Sequence, residues 1–114
     1  MAKTIMTEAQ SGSVPEELKI VAEQEDVSPE KLRTRLAEGR IIVARNLRRA
    51  GKVRIFGIGE GLSTKVNVNI GTSATVCDLE MEKEKAHIAV EYGSDTIMDL
   101  STGGNLDRVR FELM

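Results

Sequence analysis

The nine residues Lys65-Val66-Asn67-Val68-Asn69-Ile70-Gly71-Thr72-Ser73 are patterned as an extended strand with two unlike faces. Val66, Val68 and Ile70 fall on one side of the pleat and Asn67 and Asn69 on the other. Asparagine is depleted from strands, and its amide needs both a donor and an acceptor. Two readings therefore stand: the amides line a cavity, or they bond to one another as a structural ladder. Downstream, Thr75 and Asp78 have the spacing of a capping box for a helix carrying Leu79, Ala86, Ala89 and Val90 and closed by Gly93. Thr96 to Leu100 reads as the next strand, and Ser101 to Asn105 turns into a last helix with Leu106, Val109 and Leu113. A strand-to-strand interval of about 30 residues is that of a βαβ unit with parallel strands. Ligands of such units collect at the carboxyl ends of the strands, here Asn69 to Ser73 and Asp99 to Gly104. Two parallel strands with two helices leave open edges and an uncovered sheet face, so the pattern predicts part of a longer protein, cut within a barrel-like repeat.

Upstream, the first dozen residues form a loosely held leader or short helix ending in Ser11-Gly12-Ser13. Ser13 and Glu16 offer a capping box, with Pro15 in the first turn, for a helix burying Leu18, Val21 and Ala22. Ser28-Pro29-Glu30 starts a second helix that buries Leu32 and Leu36 and stops at Gly39. Ile41 to Ala44 is a short strand, and Val53 with Ile55 marks another. Gly57-Ile58-Gly59-Glu60-Gly61 is not a dinucleotide fingerprint, because the third glycine position is Leu62 and a strand follows. These glycines are expected to shape a turn. Arg40, Arg45, Arg48, Arg49, Lys52 and Arg54 occur with no Asp or Glu between Arg40 and Gly59. Such a stretch is either a seat for phosphate or RNA or a solvated, interfacial face.

With 114 residues, 40% hydrophobic and 30% charged, the chain has the means for one modest domain. A net charge of -2 argues against a general nucleic-acid binder, and three aromatic rings leave few stacking platforms. No apolar run approaches the roughly 18 residues that span a bilayer. The start of the chain has no signal-peptide core, so a cytoplasmic location is expected. Cys77 and His87 are the only residues of their kinds, which precludes a disulfide framework or a Cys- or His-based metal site within the chain. Each reads as a packed or surface residue.

Gly59-Glu60-Gly61-Leu62, the run Thr64 to Ser73 and the run Ala89 to Gly104, with its Met98-Asp99-Leu100-Ser101-Thr102-Gly103-Gly104, resemble the amino-terminal part of the ThiC family of phosphomethylpyrimidine synthases. The likeness spans most of the chain. It implies an α/β fold in which an N-terminal helical and β-hairpin segment, residues 1–52, precedes the first βαβα units of an incomplete (β/α)8 barrel, residues 53–114. It implies a radical S-adenosylmethionine lyase that rearranges 5-aminoimidazole ribonucleotide to hydroxymethylpyrimidine phosphate in thiamine biosynthesis. A 4Fe-4S cluster and zinc serve the full-length family, which forms homodimers; their ligands lie downstream, so this chain supplies no catalytic or metal residue and is inert alone. The resemblance places substrate contacts on Asn69 and Met98. Where the family has an Asn-x-Asn-His segment this chain reads Arg45-Asn46-Leu47-Arg48, which leaves open a close paralogue, 5-hydroxybenzimidazole synthase, acting on the same substrate. A reading of another class is a naturally short nucleotide- or partner-binding module without catalysis.

Overall fold

The computed structural model describes residues 4–49 and 51–113. The chain is mixed α/β, with five α-helices and two two-stranded sheets among the described residues. It divides into two compact units, with the boundary between Thr64 and Lys65.

The first unit opens with α1, Ile5–Gln10, whose N-cap Thr4 accepts a hydrogen bond from the Thr7 amide and so makes the leader a capped helix. Helix α2, Glu16–Glu25, begins at Pro15, with no side-chain cap bond; the Ser13 capping box does not form. The helix starts after Pro15, so Ser13 lies two residues before the N-cap and its hydroxyl is not at the position from which a cap reaches the first-turn amides. Helix α3, Pro29–Ala37, is capped by Ser28, whose hydroxyl accepts from the Lys31 amide at 3.3 Å. Leu18, Val21, Ala22, Leu32 and Leu36 are buried as their spacing predicts, and with Ala9 and Ile41 they form the core of the unit. Strand β1, Ile41–Ala44, pairs antiparallel with β2, Phe56–Gly59, in the register Ile41 to Gly59 and Ala44 to Phe56.

The second strand thus lies just beyond Val53 and Ile55, and the glycine cluster is divided between strand and turn. A Cβ on Gly57 would come within 2.7 Å of Val21 and Leu62, so the glycine is what lets β2 approach α2. Glycines count as turn formers in sequence, and here tertiary proximity overrides that prior. Gly61, at φ +71°, does make the turn.

In the second unit β3, Asn67–Ile70, runs parallel to β4, Thr96–Asp99, with α4, Leu79–Glu91, as the crossover and α5, Leu106–Leu113, following. Asp78 is itself the N-cap of α4 and accepts from the Met81 amide at 3.1 Å, while Thr75 bonds to Ser73 instead of completing a box. Helix α4 buries Ala89, but Val90 is 68% exposed, and the residue that takes a buried place beside Ala89 is Glu82, at 2%. Val109 is the buried anchor of α5.

Lys83 of α4 donates to Glu112 of α5 at 2.5 Å and to Glu80 at 3.0 Å, and Arg108 donates to Glu112 at 3.1 Å. The Lys83 bond, then the Arg108 bond, hold the Glu112 carboxyl below its ordinary 4.5. Because its folded value is depressed, this group's contribution to α4–α5 docking is present above pH 4.5 and lost as pH falls through the folded value. A carboxyl 13C titration should place the Glu112 midpoint below 4.5, and Lys83→Met should return it upward; a midpoint unmoved by that change would dismiss the clamp.

Candidate functional site

The parallel register sets Asn67 beside Thr96 and Asn69 beside Met98. Paired residues of a parallel sheet project to the same side, so these four side chains share one face, while Val68, Ile70, Ile97 and Asp99 share the other. Asn69 and Met98, far apart in sequence, are therefore neighbours across the sheet. Asn69 is exposed and Met98 is 49% exposed. On this face the Thr96 hydroxyl donates to Asn67 Oδ1 at 2.7 Å, and Asn67 Nδ2 donates to Asn69 Oδ1 at 3.0 Å. The ladder bond considered from sequence is thus present, on the same face as Asn69 and Met98.

The carboxyl ends of the two strands are laced together. The Thr72 amide donates to Ser101 Oγ at 3.0 Å, Thr72 Oγ1 donates to the Gly103 carbonyl at 2.6 Å, and the Thr102 amide donates to the Thr72 carbonyl at 2.8 Å. Asp99 Oδ1 accepts from the Ser101 amide at 2.9 Å and from its hydroxyl. Gly71 has φ +147°, a conformation that favours glycine, and a Cβ there would lie 2.6 Å from the Ser101 amide nitrogen, so a bare backbone is required where the two loops touch.

From the helix side, Glu82 Oε2 accepts from the Gly71 amide at 2.6 Å, and Oε1 accepts from Lys85 Nζ at 2.7 Å. The Lys85 bond is the largest influence and lowers the carboxyl below its ordinary value; burial opposes it, and the Gly71 amide adds to the lowering. Glu82 therefore stays ionised and pins the turn that follows Asn69. Sequence reasoning missed it, although a signal exists: Leu79, Glu82, Ala86 and Ala89 recur at helical spacing, so the glutamate sits within the inward stripe of α4.

A groove of about 350 Å³ runs along β3 and α4, lined by Val66, Val68, Ile88 and Tyr92 among others. Val66 and Val68 give it an apolar wall, and Asn69 also borders it. In the first unit, Arg40 is bonded to Glu38 and to Glu60, and Arg45 to Glu17, so acids from outside the stretch take up two of the cations between Arg40 and Arg54. Cys77 is exposed, and its thiol donates to the Gly103 carbonyl at 3.7 Å. His87 is exposed on α4. Among the described residues no three of His, Cys, Asp and Glu gather closely enough to hold a metal ion, and a single cysteine does not fit the three or four thiolates that an iron-sulfur cluster takes. No helix among the described residues is long and apolar enough to cross a membrane.

The model of the radical SAM ThiC family matches residues 4–114. The chain is similar to the phosphomethylpyrimidine synthases of Ignicoccus hospitalis, at 56% identity, and of Methanopyrus kandleri, at 50%, each over 111 residues and 97% of this chain. The phosphomethylpyrimidine synthase of Sulfolobus acidocaldarius is 49% identical over the same share. These alignments cover 25%, 26% and 26% of the relatives, so the chain spans about a quarter of the length of the curated relatives it matches.

Proposed function

The chain belongs to the radical SAM ThiC family, and from that premise we propose that it supplies the first substrate-holding strands of a phosphomethylpyrimidine synthase. In this reading β3, α4, β4 and α5 are the opening βα units of a (β/α)8 barrel, with the face of Asn69 and Met98 turned to its lumen. The substrate is 5-aminoimidazole ribonucleotide and the product is hydroxymethylpyrimidine phosphate. The observation that carries the reading is the pairing of Asn69 with Met98 across adjacent parallel strands, at the carboxyl end where ligands bind in such folds. The amide offers directional hydrogen bonding to a polar heterocycle or ribose, and the thioether offers a polarizable wall for the ring. S-adenosylmethionine and an iron-sulfur cluster belong to the family's chemistry, and the described residues of this chain are not fitted to hold the cluster. What these residues do is bind and orient.

Anaerobic turnover by the family-length protein that carries this chain, with mass analysis of the product, tests the proposal. Pyrimidine phosphate is the expected product; formation of 5-hydroxybenzimidazole, or no conversion of the ribonucleotide, would overturn it. Within that assay Asn69→Ala should raise KM about tenfold, the scale of one lost hydrogen bond to a polar ligand, and an unchanged KM would remove Asn69 from the site.

A further inference from the structure

The bond between the two asparagines has a direction, and the direction decides what Asn69 offers a ligand. Thr96 donates its hydroxyl proton to Asn67 Oδ1, which turns Asn67 Nδ2 toward Asn69. A primary amide nitrogen has only protons to offer, so it meets Asn69 at Oδ1, as observed at 3.0 Å. With Oδ1 engaged by Asn67, Nδ2 is the end of the Asn69 amide left for a ligand, on a residue that the register sets beside Met98. We propose that Thr96 and Asn67 are positioning residues that fix the amide orientation of Asn69, so that Asn69 donates to an acceptor atom of the substrate. The acceptor is a ring nitrogen lone pair or a hydroxyl oxygen.

This inference rests on the substrate reading above for the identity of the ligand, but the relay itself is a property of the free protein. Each of its members lies on one sheet face in paired register, Asn67 beside Thr96 and Asn69 beside Met98, so the strands hold the chain of donors in place. It explains why a strand would carry two asparagines at alternate positions. The first sets the second, and an amide free to rotate would present oxygen and nitrogen to the ligand by turns.

Two measurements test it. The first uses the chain labelled with 15N-asparagine, in which the side-chain amides of Asn46, Asn67, Asn69 and Asn105 are the four signals. Thr96→Val should shift the Asn67 and Asn69 pairs and speed their proton exchange, with Asn46 and Asn105 unmoved, and Thr96→Ser should restore the wild-type pattern. The second measures KM for 5-aminoimidazole ribonucleotide in the family-length protein. Asn67→Asp has only acceptors to offer and should turn the Asn69 amide round, raising KM about tenfold, while Thr96→Val should raise it about threefold and Thr96→Ser should leave it within about twofold. Valine keeps the β-branched shape of threonine and suits a strand, so a merely structural Thr96 would show no change in KM on that substitution. Asparagine signals indifferent to Thr96→Val, or a KM unmoved by both Asn67→Asp and Thr96→Val, would overturn the proposal. A wild-type protein that ignores the ribonucleotide would instead strike at the substrate reading, and the amide spectra would then judge the relay by themselves.

Discussion

Glu82→Ala is expected to destabilise the second unit by about 3 kcal/mol, because it strips the partner from the Gly71 amide and from Lys85 in one step. Ala89, its neighbour in the buried stripe of α4, cannot replace a carboxylate that reaches the turn after β3. Glu82→Gln keeps an acceptor for Gly71 but sets an NH2 where Lys85 had an oxygen, so the ion pair with the half-exposed Lys85 is lost while the turn keeps its bond, and its cost should be nearer 1 kcal/mol. The two variants also separate the pH dependence. The folded value of Glu82 is lowered, first by Lys85, so its contribution is present above the ordinary 4.5 and is lost as pH falls through that lowered value. Wild type should weaken over this acid window and Glu82→Gln should be flatter there. Urea unfolding of the chain, followed through the β3 and β4 amides by NMR, reads both effects. Equal stability of the Ala variant and wild type would mean that the Gly71 turn holds without its carboxylate.

Gly103→Ala should be at least as damaging, at about 3–4 kcal/mol. Its new Cβ would collide with the Ser73 carbonyl and sit 2.9 Å from the Ala74 amide nitrogen, and both neighbours are backbone with no rotamer in which to escape. Relief requires parting the two loops, which breaks the 2.6 Å bond from Thr72 Oγ1 to the Gly103 carbonyl. Gly93→Ala is the control. It places alanine at φ +74° with nothing within 4 Å, so it carries backbone strain of about 1 kcal/mol and no collision. Comparable losses for the two glycines in the same unfolding experiment would show that the strand-end loops are not locked as the geometry has them.

Much of the local architecture is legible along the chain. Helices α2 and α3 bury the leucines and valine their spacing selects, Ser28 caps where a cap is expected, and the parallel pairing of β3 with β4 follows from two strand patterns separated by a crossover helix. Other features escape a reading along the chain. Val90 lies in an apolar run and is exposed, Gly57 and Gly59 resemble turn formers and are in a strand, and Glu82 is charged and buried. For Gly57 and Glu82 the deciding neighbour is remote in sequence or invisible to a one-dimensional pattern: α2 for Gly57, the turn after β3 for Glu82.

The same division holds for the site. Alternation alone determined that Asn67 and Asn69 share a face opposite the valines, because side-chain direction in a strand has a period of two. Only the tertiary structure decided that Met98 is the neighbour of Asn69, that Thr96 is the neighbour of Asn67, and which atom of each amide faces which partner. Periodicity states which residues look the same way. Register and hydrogen-bond direction depend on a second strand brought alongside through α4, and no local pattern encodes that alignment.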